Sequence, residues 1–305
     1  MAKSRIILDC DPGVDDAIAL LLAFASPDEI EIVGITTVIG NVSLELTTRN
    51  ALRITAMANR QDIPVYAGCI RPIILPRVQR GASVHGTDGL GDLGVADATH
   101  QVQSQHAVDF IIDTILREPG QITLCPIGPM TNIALALIKE PSIAGKIKSI
   151  VFMGGAAFSP GNTATGAEFN IWIDPHAAQV VLSSGIPMTM FGLDVTRHAT
   201  LTKARFDQLE RDASPIMQTA IAMMRHYGSG DASLHDPCVT AFLIDPTLFR
   251  GIDAAIEVDC DPSGAYGRTR VVENDAGKDQ PVCHVITEVD DTRLFKLIDQ
   301  RLRLL

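Results

Sequence analysis

The sequence predicts an α/β fold: a doubly wound, mostly parallel central sheet with flanking helices and a small C-terminal strand-rich addition. Three observations predict it. Short apolar runs alternate with longer helix-patterned stretches, the rhythm of successive β-α-β units. The rhythm is interrupted by two long polar loops and resumes after each. Hydrophobic residues make up 46% of 305 positions, enough apolar surface to bury a large core.

The elements follow in order. Arg5 to Leu8 reads as a strand, Ala17 to Ala25 as a helix, Ile30 to Thr37 as a strand and Leu44 to Asn59 as a helix. Beyond a polar loop from Arg71 to Asp92 come a helix at Ala107 to Leu116, a strand at Ile122 to Cys125, a helix at Asn132 to Leu137 and a strand at Ile147 to Met153. A second polar loop, Gly154 to Asn170, precedes a helix at Pro175 to Leu182, started by the Asp174-Pro175 cap signal, and a strand at Pro187 to Phe191. The doubly wound core therefore covers Arg5 to about Asp194. Thr202 to His226 reads as helices outside it. Ile252 to Asp259, Thr269 to Val272 and Val282 to Ile286 read as strands, and Asp290 to Arg303 as a closing helix. No repeat or linker divides the chain, so residues 1–305 are expected to form a single domain.

Composition narrows the function. The formal net charge of -11 provides no basic footprint, which disfavours nucleic acid and anionic membrane surfaces as partners. Neutral small molecules and cations fit better. The six cysteines (10, 69, 125, 238, 260 and 283) stand far apart without a CxxC pair, against both a zinc ribbon and a disulfide framework. The longest apolar run, Ala17 to Ala25, falls well short of the roughly 20 residues that cross a bilayer. Arg5 to Leu8 begins a strand without a preceding apolar signal core. The expected setting is the cytoplasm.

In an open α/β sheet the ligand sits beyond the carboxyl ends of the strands. Asp9-Cys10-Asp11-Pro12-Gly13-Val14-Asp15-Asp16 lies there, with four carboxylates where a strand passes into a helix. Helix capping explains one of them, not four. A hard, oxygen-seeking cation, Ca²⁺ or Mg²⁺, accounts for the surplus. This is not an EF-hand, because position 12 counted from Asp9 is Leu20 instead of a bidentate Glu. Further ligands must come from elsewhere in the chain. Leu234-His235-Asp236-Pro237 is a second junction with a carboxylate, readable as an ordinary N-cap or as part of a site. His85, in His85-Gly86-Thr87-Asp88-Gly89, is a loop histidine that reads as solvated or functional. Asn41 either caps the following helix or meets a ligand. Asn162, Glu168 and Asn170 offer the paired donors and acceptors that suit sugar hydroxyls. Trp172 is read as core packing.

Together these segments resemble the inosine-uridine-preferring nucleoside hydrolase family. Asp9 to Asp16 matches its DxDPGxDD fingerprint in full. The likeness continues through Gly40-Asn41, His85-Gly86, Gly128-Pro129-Met130-Thr131-Asn132, Met153-Gly154-Gly155, Glu168-Phe169-Asn170, Asp174-Pro175 and His235-Asp236-Pro237. The resemblance implies hydrolysis of the N-glycosidic bond of a small-molecule nucleoside. It also implies a Ca²⁺ held by Asp11, Asp16, Asp236 and the carbonyl of Ile127, a position where the family often has Thr. Asp11 would be the general base, and Asp15, Asn41, Asn162, Glu168, Asn170 and Asp236 would hold the ribose. His235, and His85 with it, would face the base, His235 as proton donor. A homodimer or homotetramer is the family's usual assembly. Base selection is expected in Met223 to Ser233, which holds His226 and Tyr227. Two other functions are open on the residues alone: a haloacid-dehalogenase-like phosphohydrolase, since Asp9-Cys10-Asp11 is also a DxD at a strand end, and a nucleoside-binding paralogue without activity.

Overall fold

The computed structural model describes residues 3–74, 82–262, 264–272 and 282–305. Part of the Arg71 to Asp92 loop therefore lies outside the described residues. In chain order the elements are β1 (Ser4–Cys10), α1 (Val14–Phe24), β2 (Ile30–Thr37), α2 (Leu44–Met57), β3 (Val65–Ala67), α3 (Ala82–His85), α4 (Ala107–Arg117), β4 (Ile122–Pro126), α5 (Thr131–Lys139) and β5 (Ser149–Met153). They continue as α6 (Phe169–Ile173), α7 (Pro175–Leu182), β6 (Met188–Phe191), α8 (Leu193–Thr196), α9 (Lys203–Leu209), α10 (Pro215–Tyr227), α11 (Pro237–Ile244), β7 (Phe249–Val258), β8 (Thr269–Val272), β9 (Val282–Val289) and α12 (Asp291–Leu302).

The strands form one sheet in the order β3-β2-β1-β4-β5-β6-β9-β7-β8. It is parallel from β3 to β9, while β7 and β8 are added antiparallel at the far edge. The C-terminal strands thus extend the central sheet, with β9 pairing directly on β6. Their pairings are contacts between residues distant in sequence, so local pattern does not reveal them. β3 was not anticipated, for its three residues are too short to show an alternation. None of the described helices is long and apolar enough to cross a membrane.

Alternation along β1 decides much of the interior. Ile6, Leu8 and Cys10 pack on the side of α1, α10, α11 and α12, whereas Ile7 packs on the side of α4, α5 and α7. α1 is buried at every residue from Val14 to Phe24, as expected of a helix apolar on all faces that lies between the sheet and the layer of α10 and α11. Its N-terminus follows the end of β1 immediately. β1 sits between β2 and β4, where the strand order reverses, so its C-terminal end opens on the crevice typical of ligand sites in such sheets.

Candidate active site

Above that crevice lies a cavity of 540 Å³ lined by, among others, Asp15, Asn41, His85, Ile127, Asn162, Glu168, Asn170, Trp172, Tyr227, Asp231, His235 and Asp236. Segments that are remote in sequence but follow parallel strands meet here.

The carboxylates part company at the end of β1. Asp9 shares the parity of Ile7 and turns toward α5, where it accepts hydrogen bonds from Thr36 Oγ1 at 2.6 Å and Asn132 Nδ2 at 2.8 Å. It is wholly buried beneath the floor, and burial raises its pKa to about 7. The Gly128 to Asn132 segment thus braces β1 from α5. Asp16 accepts the N–H groups of Asp11 at 3.1 Å and Gly13 at 3.0 Å, closing the turn into α1. Asp11 Oδ2 accepts the Asn41 N–H at 2.7 Å, while its buried Oδ1 has no partner among the described residues. The carboxylate fits only because its neighbours are glycines. A Cβ would stand 1.9 Å from Asp11 Oδ2 at Gly40 and 2.4 Å from Oδ1 at Gly128.

The cap reading fails for two residues. Ser43, not Asn41, caps α2, and the Asn41 amide reaches Asp16 Oδ2 and the Asp11 carbonyl, both at 3.2 Å. Asp236 occupies the N-cap position of α11 without a capping hydrogen bond from its side chain. It faces Asp15 and Asp16 instead, and ligand atoms of the three lie within 4.8 Å of one another. At that separation, and at an effective dielectric of about 20, each ionised pair repels by ~3 kcal/mol. One hydrogen bond to a charged group offsets only ~1.5–3 kcal/mol. Accordingly, burial and then the neighbouring charges push Asp11 and Asp236 well above the carboxylate range, and Asp16 to about 7. A divalent cation fits this donor set of hard oxygens and the orphaned Asp11 Oδ1.

The remaining site residues surround this cluster. Glu168 caps α6 with Oε1 on the Asn170 N–H at 2.9 Å, and Oε2 accepts the Gly155 N–H, also at 2.9 Å. Asn170 Nδ2 donates to the carbonyl of Ile127 at 2.8 Å. Asn162 lies on the cavity wall. His85 is buried rather than solvated, with Nδ1 accepting the Val14 N–H at 3.0 Å. Burial lowers its pKa. Tyr227 donates to Asp15 Oδ2 at 3.2 Å. His235 is clamped on both ring nitrogens, Nδ1 by Thr196 at 2.7 Å and Nε2 by Asp231 at 3.1 Å.

Trp172 departs from its expected place. It is half-buried and lines the cavity, because the short helix α6 turns Ile171 and Ile173 into the interior and leaves Trp172 at the cavity edge. His226 packs beside Gly91, outside the cavity lining. Asp231 lies within the Met223 to Ser233 segment expected to select the base but was not singled out there, and Thr196 carried no signal, for an isolated Thr is common anywhere in a sequence.

Comparison with known proteins agrees with this geometry. The family model described as inosine-uridine preferring nucleoside hydrolase matches residues 6–296. The pyrimidine-specific ribonucleoside hydrolase RihB of Escherichia coli is 40% identical, over 88% of this chain and 87% of its own. A solved purine-preferring ribonucleoside hydrolase from Gardnerella vaginalis is 35% identical, covers 98% of both chains and superposes with a TM-score of 0.91. A plant nucleoside hydrolase is 31% identical, covering 98% and 99%, with a TM-score of 0.92. With the fingerprint turn, the carboxylate-lined crevice and the matching family model in place, the chain belongs to the inosine-uridine preferring nucleoside hydrolases, enzymes that cleave the N-glycosidic bond of ribonucleosides.

Proposed function

We propose that this hydrolase works on ribonucleosides in a calcium-dependent manner, with Asp11, Asp16, Asp236 and the Ile127 carbonyl holding the ion. The observation that carries the reading is the convergence of Asp15, Asp16 and Asp236, all buried, together with a buried Asp11 oxygen that has no partner among the described residues. When bound, calcium supplies positive charge that keeps these carboxylates ionised and orients water at the sugar face.

Every other part is played by side chains. Asp11, anchored through Oδ2 by Asn41, keeps Oδ1 for the proton of the attacking water. Asp15, Asn41, Asn162, Glu168, Asn170 and Asp236 position the ribose hydroxyls. The backbone hydrogen bonds to both Glu168 oxygens fix its carboxylate without exhausting its lone pairs. Surrounding negative charge favours an oxocarbenium-like transition state. The departing base meets His85. Its Nδ1 is occupied by a backbone donor, so the ring proton resides on Nε2 and is available as a hydrogen-bond donor. His235 keeps a base-side position, with its proton directed at Asp231.

Base release from inosine, adenosine, uridine, cytidine and their deoxy forms, with and without a chelator, tests the proposal. Release from ribonucleosides, its loss on chelation and its recovery with calcium are expected. Unchanged release in exhaustively chelated protein would overturn the metal role. The whole of residues 1–305 is taken as one domain assembling as a homodimer or homotetramer, checked by light scattering. Six free cysteines support a reducing, cytoplasmic setting.

A further inference from the structure

We propose that Asp231 reads the nucleobase, accepting a hydrogen bond from an N–H on the base edge, with Ser233 and His235 holding its carboxylate in place. The inference rests on the nucleoside hydrolase reading of the cavity. Within it, Asp15, Glu168 and Asp236 are each 5% exposed or less and form the floor, with Asp16 beside them. Asp231 is different. It enters from the loop between α10 and α11, lines the same cavity, and its side chain is 32% exposed. A ribose gripped at the buried floor leaves its base toward the more open end, where Asp231 lies.

Its carboxylate is fixed rather than free. Oδ1 accepts the Ser233 N–H at 2.9 Å and Oδ2 the His235 Nε2–H at 3.1 Å. An ionised carboxylate only accepts, so His235 donates from Nε2, while its Nδ1 pairs with the Thr196 hydroxyl, a group able to donate or accept. Thr196 is wholly buried, which makes the ring a rigid support. Burial alone would raise the pKa of Asp231, but the hydrogen bond and charge of His235 outweigh it and hold the group below its ordinary value. Of about four lone-pair positions on the carboxylate, two are taken. Those left over suit the imide of a uracil, the lactam of a hypoxanthine or guanine, and the exocyclic amine of a cytosine or adenine. A base edge offering only acceptors would set its lone pairs against this carboxylate and leave the remaining acceptor positions without a donor, which discriminates against such a base.

The test compares uridine with N3-methyluridine and inosine with N1-methylinosine, with p-nitrophenyl riboside as a substrate that has no N–H to read. Wild type should prefer the unmethylated partner by at least about tenfold in kcat/KM, the size expected for one hydrogen bond to a charged group. In Asp231→Ala and in Asp231→Leu, which keeps bulk at the position, that preference should shrink to within about threefold. Both variants should melt close to wild type, reporting an intact fold, and p-nitrophenyl riboside should lose less rate than uridine and inosine. Preference surviving in Asp231→Leu would show that methyl groups are rejected by shape and would overturn the proposal. So would a wild type indifferent to methylation, or equal losses on all substrates. A wild type inert toward every riboside would instead defeat the hydrolase reading and this inference together.

Discussion

The backbone N–H of Val14 donates to Nδ1 of His85 across 3.0 Å, joining the first turn of α1 to the end of α3, 71 residues further along the chain. A backbone N–H can only donate, so Nδ1 is unprotonated and the neutral ring carries its proton on Nε2. Burial acts in the same direction by lowering the pKa of His85. Nitrogen-resolved NMR should therefore find His85 as the neutral Nε2–H tautomer at pH 7, with its titration displaced to lower pH than that of a free imidazole. An imidazolium at pH 7 would contradict the Val14 contact.

That tautomer has a kinetic consequence. On the proposed role of His85 as hydrogen-bond donor to the leaving base, His85→Ala should slow inosine and uridine by about 100-fold or more while sparing p-nitrophenyl riboside, whose leaving group departs readily as an anion. His235→Ala, whose ring is engaged on both sides within the protein, should affect inosine and p-nitrophenyl riboside by similar factors. A His235→Ala loss confined to inosine would return the donor role to His235.

Asp11→Asn preserves shape but cannot take a proton from water. A fall in kcat of several powers of ten is expected, in a protein that melts as a folded domain. Metal content should be measured in parallel, since one carboxylate of the cluster is lost. Activity within tenfold of wild type, or ~1.4 kcal/mol in barrier, would exclude the general-base role.

Gly128→Ala tests the same carboxylate by crowding. The new methyl would lie 2.4 Å from Asp11 Oδ1 and 3.0 Å from its backbone nitrogen, so Asp11 must move. Loss of kcat by about 100-fold is expected, because small misplacements of a reacting group are costly. Activity near wild type would mean that the position of Asp11 is not critical.

Metal removal and pH should act together on stability. In the metal-free chain Asp9 and Asp16 have pKa values raised to about 7 against an ordinary 3.8. The folded state then binds more protons than the unfolded one between those values, and stability falls as pH rises through that window. Chelated protein should show a melting temperature that declines from about pH 5 to pH 7.5, and the gain on adding calcium should grow over the same interval. A calcium effect independent of pH would argue that the ion sits elsewhere.

Local pattern sufficed for the parts of this protein whose physics is local. Period-2 and period-3.6 apolar runs marked β1, α1, β2 and α2, and four carboxylates at one strand-to-helix turn demanded a counter-charge whatever the fold. The Asp174-Pro175 start of α7 was equally legible, with Asp174 accepting the Ala177 N–H as expected. Tertiary structure decided which carboxylates share the site. Asp9 and Asp11 belong to one motif, yet the alternation of β1 sends Asp9 under the floor to Thr36 and Asn132, while Asp11 emerges beyond the strand end against Gly40 and Gly128. Asp236 lies 220 residues from Asp16 and joins it only because α11 packs on α1. The addition of β9 to β6, the clamp of Thr196 and Asp231 on His235, and the approach of His85 to Val14 are likewise contacts across long loops. Such contacts are specified by how whole elements pack, and no residue carries that information in its own neighbourhood.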